Sequence, residues 1–267
     1  MKTKENQPAK QTKRRQGASA FVVIIVCAVI AHLFFYLICG HSDNFDEKGH
    51  PINANIFGTL YQGGFVIPIV ITLLLTVFAL GVERLIALSK ATGKGSIAKF
   101  VINAKGKLNA GDLEGAEKLC DAQGGSVANI LKAGLVRYND VKNLPNLNND
   151  EKAAMVESEI EDATSLELPY MEQNLNVIAT ISSLGTLFGL LGTVLGMIRS
   201  FGAMANEGAP DSIALSLGIS EALMNTAMGI ATGALAIIVY NYFANRVENI
   251  TNAVNEVGFA IGQTLRD

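Results

Sequence analysis

The chain has 267 residues and a net charge of −3, with 49% hydrophobic residues against 17% charged. Soluble domains average about 25% charged residues. With a mean hydropathy of +0.32, the composition therefore excludes an ordinary soluble globule and gives bulk charge no role in binding nucleic acid. Residues 1–19 form a basic arm carrying Lys2, Lys4, Lys10, Lys13, Arg14 and Arg15. The apolar run FVVIIVCAVIAHLFFYLIC follows, broken only by His32, and predicts a transmembrane helix over 20–40. It is longer than a signal-peptide core and no A-x-A site follows it, so it is read as an uncleaved anchor. His32 itself is read as a packing residue.

Residues 41–62 are polar and hold one lysine against three acids. A second transmembrane helix is predicted over 63–88, with Pro68 in its first turn, where a missing N–H does no harm. Residues 89–172 are read as a helical cytoplasmic domain in which Asp112 is a candidate N-cap. Loops are expected near Gly93–Gly95, Gly124–Gly125 and 143–149. A third membrane helix is predicted over 173–203, a short periplasmic loop over 204–211 and a fourth membrane helix over 212–243, started by Asp211 or Ser212. A helical extension occupies 244–267. Its Val247, Ile250, Val254, Val257 and Ile261 recur at steps of three and four, an apolar stripe that needs a helix to cover it, in the same chain or in another copy.

Lysine and arginine placement orients these spans. The basic arm and the Lys90–Lys107 region belong in the cytoplasm, the two basic-poor loops outside it, and both termini inside. Arg199, near the outer end of the third span, is the one discordant charge. The fold class is thus all-α: a polytopic membrane protein whose long transmembrane helices extend into a helical cytoplasmic domain.

The third and fourth spans carry the informative residues. Gly185, Gly189, Gly192 and Gly196 make two small-xxx-small pairs in one. Gly218, Ala222, Thr226, Gly229 and Gly233 lie on one face of the other. Such residues let helix backbones approach closely in lipid. Glu221 lies beside that face, one turn from Gly218 and from Asn225, and is the only acid between Asp211 and Glu248. A charge at a helix centre costs roughly 2.5–3.5 kcal/mol on insertion scales. A carboxyl kept there at that cost is read as a proton relay, with interhelical hydrogen bonding as the simpler alternative. Thr226 and Asn225 are candidates to hydrogen-bond it or to hold water. Spacing alone leaves Thr193 between a pore role and bonding to its own helix. The acids Glu157, Glu159, Glu161 and Asp162 read as a solvated face. No P-loop, GxGxxG, nucleophile–base pair, cofactor motif or metal-ligand spacing is present, so no enzyme is expected, and Cys27, Cys39 and Cys120 read as free thiols.

GLLGTVLGMIRSF, Gly189 to Phe201, followed by GISEALMNTAMGIATG, Gly218 to Gly233, resembles the MotA/TolQ/ExbB proton channel family, in its ExbB/TolQ branch. The likeness covers about residues 58 to 262, with the helix at 20–40 as an addition to the family's usual three spans. The resemblance implies a homo-oligomeric ring, usually of five subunits, in the bacterial inner membrane. The ring surrounds a dimer of a single-span ExbD/TolR-type partner, which carries the membrane aspartate that takes up and releases protons. It implies that Thr193, Glu221 and Thr226 line the ring's inner wall. Proton flow would then energise a TonB-type transducer for outer-membrane transport, or in a TolQ-like system support envelope integrity; a non-conducting scaffold is the remaining alternative. One departure stands out. Where family members have Ala-Pro before the G-L-L-G-T segment, this chain has Gly185-Thr186, which leaves a kink there open.

Overall fold

The computed structural model describes residues 19–47, 49–52, 55–206 and 212–266. The basic arm up to residue 18, Lys48, and residues 207–211 of the expected periplasmic loop, with the capping candidate Asp211, lie outside the described residues. Nine α-helices and no strand occur among the described residues. Four stretches are long and apolar enough to cross a membrane: Ala20–Cys39, Val66–Asn109, Asn149–Gly202 and Leu215–Thr264.

The first comprises α1 (Ala20–Leu33) and a turn of π-helix, Phe34–Cys39. The side-chain amide of Asn44 closes this end by donating to the carbonyls of Ile38 at 2.7 Å and Cys39 at 3.1 Å. Asn55 donates in turn to Asn44 Oδ1 at 2.7 Å and accepts from Phe57 N–H, capping α2 (Ile56–Gln62). Two asparagines thus satisfy backbone groups that helix ends leave without partners, and they fold residues predicted only as a polar segment into a helical turn. This first span packs through Ala31, Phe35 and Cys39 against Leu60 of α2 and against Ile67 and Ile71 of α3 (Val66–Thr92). Its other face, with Val22, Val26, Val29 and Leu33, is exposed. His32 lies on that exposed face and bonds back to Ala28 O at 2.8 Å.

α4 (Ile97–Asn109), α5 (Leu113–Gln123) and α6 (Gly125–Val141) build the helical body beside the lower half of α3. Asp112 caps α5 by accepting from Gly115 N–H at 2.9 Å. Its carboxyl is held below the usual range by the hydrogen bond from Lys107 and then by that backbone donor. Gly93, at φ +74, turns the chain after α3 where a side chain would collide with the carbonyls of Gln123 and Gly124. Burial pushes the Cys120 thiol up to about 11, so it stays protonated as an inert core group.

α7 (Asn149–Glu172) begins in a capping box between Asn148 and Glu151. It ends three residues after Pro169, at Gln173 and a left-handed Asn174 (φ 65). α8 (Leu175–Asn206) then runs without interruption through Gly185-Thr186, so the replacement of Ala-Pro leaves a continuous helix. α9 (Ser212–Arg266) is a single helix of 55 residues, about 80 Å long at 1.5 Å per residue. That is more than twice the ~30 Å of a bilayer core, so one rod serves both the predicted membrane helix and its extension. Its stripe of Val247, Ile250, Val254, Val257 and Ile261 is buried in the same core cluster as residues of α4, α6 and α7. The cover for the stripe therefore comes from within the chain. Ile160 of α7 fits between Gly134 of α6 and Gly258 of α9, where the missing side chains make room for it.

Candidate functional site

α8 and α9 form an antiparallel pair whose contact is made of the small residues. A side chain built on Gly185 would meet the backbone of Gly229 and Gly233 at 3.1–3.2 Å. One on Gly189 would lie 2.9 Å from Gly229 Cα, and one on Gly196 would lie 2.9 Å from Ala222 Cβ. Gly192 faces Asn225, and Gly218 faces Ser200. This close approach fixes the offset between the helices, and the offset decides which polar groups meet.

Glu221 accepts a hydrogen bond from Arg199 Nη1 at 2.7 Å. The pair is lopsided: the glutamate side chain is 11% exposed and that of the arginine 57%. Behind the carboxylate stands the turn joining α2 to α3. A side chain built on Gly64 would come within 3.3 Å of Glu221 Oε1 and 3.6 Å of Arg199. Gly64 also has φ +68, so Gly64→Ala is expected to cost about 1–2 kcal/mol of stability. Thermal unfolding of the purified protein reads this directly, and Gly202→Ala, which meets nothing within 4 Å, is the matched control.

Of the two roles expected for Asn225 and Thr226, the hydrogen bond to Glu221 is absent, and both side chains bond elsewhere. Asn225 is 1% exposed and donates from Nδ2 to Gly63 O at 3.1 Å. Its Oδ1 is buried with no hydrogen-bond donor among the described residues. Thr226 lies five positions beyond Glu221, about 140° around the helix, and so faces α8. Its hydroxyl lies 3.2 Å from both Gly189 O and Thr193 Oγ1. Thr193 Oγ1 in turn donates to Leu190 O at 2.6 Å. There are thus two polar groups on the helix pair, Arg199–Glu221 against the α2–α3 turn and Thr193–Thr226 between the helices. Their spacing along α9 is about 7.5 Å. Asn225, buried under Gly63, opens onto neither surface and acts as a tie between α9 and that turn.

The arginine is the partner that sequence reading missed. Its signal was present, since a lone cation and a lone anion in successive apolar spans each carry a large desolvation cost unless they pair. No group of three or more metal-ligating side chains occurs among the described residues.

Comparison with known proteins bears on this geometry. The model of the MotA/TolQ/ExbB proton channel family matches residues 124–256, which include Thr193, Arg199, Glu221, Asn225 and Thr226. The chain belongs to this family. The Tol-Pal system protein TolQ of Pseudomonas aeruginosa is 32% identical over 122 residues, 46% of this chain and 53% of the relative. Biopolymer transport protein ExbB of Salmonella typhimurium is 32% identical over 88 residues, 33% of this chain and 36% of the relative. The ExbB protein of Aquifex aeolicus is 28% identical over 117 residues, 44% of this chain and 71% of the relative. The chain therefore spans about half the length of the TolQ relative and about a third of the Salmonella one. The family is one of proton channels and not of enzymes, and with its apolar helices this chain is a multi-pass membrane protein of the ExbB/TolQ branch.

Proposed function

We propose that this chain is the proton-channel and motor subunit of an energy-transducing complex in a bacterial inner membrane. Five copies form a ring around a dimer of an ExbD/TolR-type single-span partner, and proton flow through the assembly energises a TonB-type transducer for outer-membrane transport. The observation that carries this reading is the Glu221 carboxylate held by Arg199 inside a membrane-spanning helix pair, one helix face away from the Thr193–Thr226 contact. Thr193, Thr226 and Glu221 form the wall past which the partner's proton-carrying group moves, and Asn225 holds that wall to the α2–α3 turn. The basic residues of the arm and of 90–107 support a cytoplasmic position for the helical body and both termini. Each charge crossing the membrane supplies roughly 2.3 kcal/mol per 100 mV, enough to break a few hydrogen bonds per proton and so to drive small steps. The TolQ relative supports a second reading on the same chemistry, in which the transducer serves envelope integrity. Liposomes containing this chain with its partner are expected to take up protons down an imposed gradient, and native mass measurement to find a closed ring of five. A complex that passes no protons, or a stable monomer, overturns the proposal.

A further inference from the structure

We infer that the first span and α2 act as a positioning element for the Glu221 site: through Tyr61 they hold the Gly63–Gly64 turn against the carboxylate. The inference rests on the reading of Glu221 as part of a proton path. Residues 20–62 lie outside the stretch that the family model matches, which gives them no role. The turn has little hold of its own. Gly63 and Gly64 are consecutive glycines, the residues that lose most backbone freedom on ordering. Their amides donate to Leu60 O at 3.1 Å and Tyr61 O at 3.2 Å, so the turn takes its position from the last turn of α2. Asn225 then ties Gly63 O to α9, and Gly64 stands beside Glu221 and Arg199.

α2 is itself clamped at both ends. At its start Asn55 caps it and donates to Asn44 Oδ1 at 2.7 Å, and Asn44 is bound to the last carbonyls of the first span. The contact is close-packed, since a side chain built on Gly58 would lie 2.9 Å from Asn44 O. At its end the Tyr61 ring stacks on Phe35 at 4.9 Å and meets Phe45 edge-on at 5.6 Å. Gly40 leaves room for that ring, because a side chain there would lie 2.6 Å from Tyr61 Cε2. Met224 and Met228, which bracket Asn225 on α9, pack on the same apolar cluster. Release of this clamp would part Gly64 from Glu221 and admit water beside the carboxylate, with no residue of α8 or α9 changed.

The test uses the full chain in lipid nanodiscs. It reads amide hydrogen exchange across residues 62–66 and modification of Glu221 by a water-soluble carbodiimide, both by mass spectrometry. Tyr61→Leu and Asn55→Ala, which release α2 at opposite ends, are each expected to speed both by about tenfold. Tyr61→Phe keeps the stacked ring and is expected to match wild type. Arg84→Lys, which weakens the other end of α3, controls for a general loss of stability and is also expected to match wild type. Unchanged exchange and modification in Tyr61→Leu and Asn55→Ala, or an equal rise in Arg84→Lys, overturns the inference. Proton uptake with the partner is measured alongside and is expected to fall several-fold in the same two variants. A wild type that passes no protons would sink the channel reading, while exchange and modification still decide the role of the clamp.

Discussion

Arg84→Met is expected to destabilise the protein by about 3–5 kcal/mol, because it takes the donor from two helix-end carbonyls and the cation from the Glu83 carboxylate. Arg84 is fully buried. Its Nη1 donates to Tyr170 O at 3.0 Å and Met171 O at 3.3 Å, carbonyls of the last turn of α7. Those carbonyls have no intrahelical donor, since the helix stops at Glu172. The same guanidinium forks onto Glu83, which also accepts from Asn174 Nδ2 at 3.3 Å. Arg84 therefore caps α7, while its partner Glu83 holds the left-handed residue that precedes α8, and the pair ties both helices to α3. Arg84→Lys is expected to fall between wild type and Arg84→Met, because an ammonium cannot reproduce the planar fork. Thermal unfolding in a single detergent gives the order. An Arg84→Met protein as stable as wild type would mean that the joint does not depend on this cap.

Gly229→Ala carries the second large effect. The added carbon would lie 2.5 Å from Gly189 Cα and 2.6 Å from Gly185 O. Both are backbone atoms of a facing helix, which cannot rotate aside as a side chain can. Overpacking of a core ordinarily costs 1–3 kcal/mol, and a collision with backbone is expected at or above the top of that range. The separation of α8 from α9 would also part Thr226 from Thr193, so proton uptake should fall with stability. Gly202→Ala, in open space near the end of α8, should instead gain up to about 1 kcal/mol from helix propensity. Opposite signs for the two substitutions separate a packing contact from a general effect of glycine in helices. If both prove neutral, the close α8–α9 seam is not what holds the pair.

These two residues also mark where the sequence was legible. The small-residue periodicities of the third and fourth spans already marked the face of each helix that can approach a neighbour closely, while the meeting of Gly189 with Gly229 comes from the structure. The long α9 followed from a stretch free of proline, and its stripe from steps of three and four. Arg84 was a different matter. As a basic residue just beyond an apolar run it marked a membrane boundary, and nothing local to it indicated that the end of a helix 86 positions away in sequence would bury it. Arg199 and Glu221 were each conspicuous, but their pairing required the register of two antiparallel helices. That register is set by contacts such as Gly196 with Ala222, more than one turn away from some of the groups it aligns. Asn225 was correctly placed one turn from Glu221, yet its hydrogen bond went to Gly63, in a turn whose return to this level no periodicity encodes.

The central claim is that the Glu221 carboxylate takes part in proton passage and is more than an interhelical contact. Glu221→Gln tests it most directly, since the amide can still accept from Arg199 and fills the same space against Gly64 while losing the ability to carry charge. Proton uptake by liposomes containing the ring and its partner should drop to background in Glu221→Gln, as in Glu221→Ala, with assembly unchanged in the Gln variant. Wild-type uptake in Glu221→Gln, with failure confined to Glu221→Ala, would show that Glu221 serves packing alone.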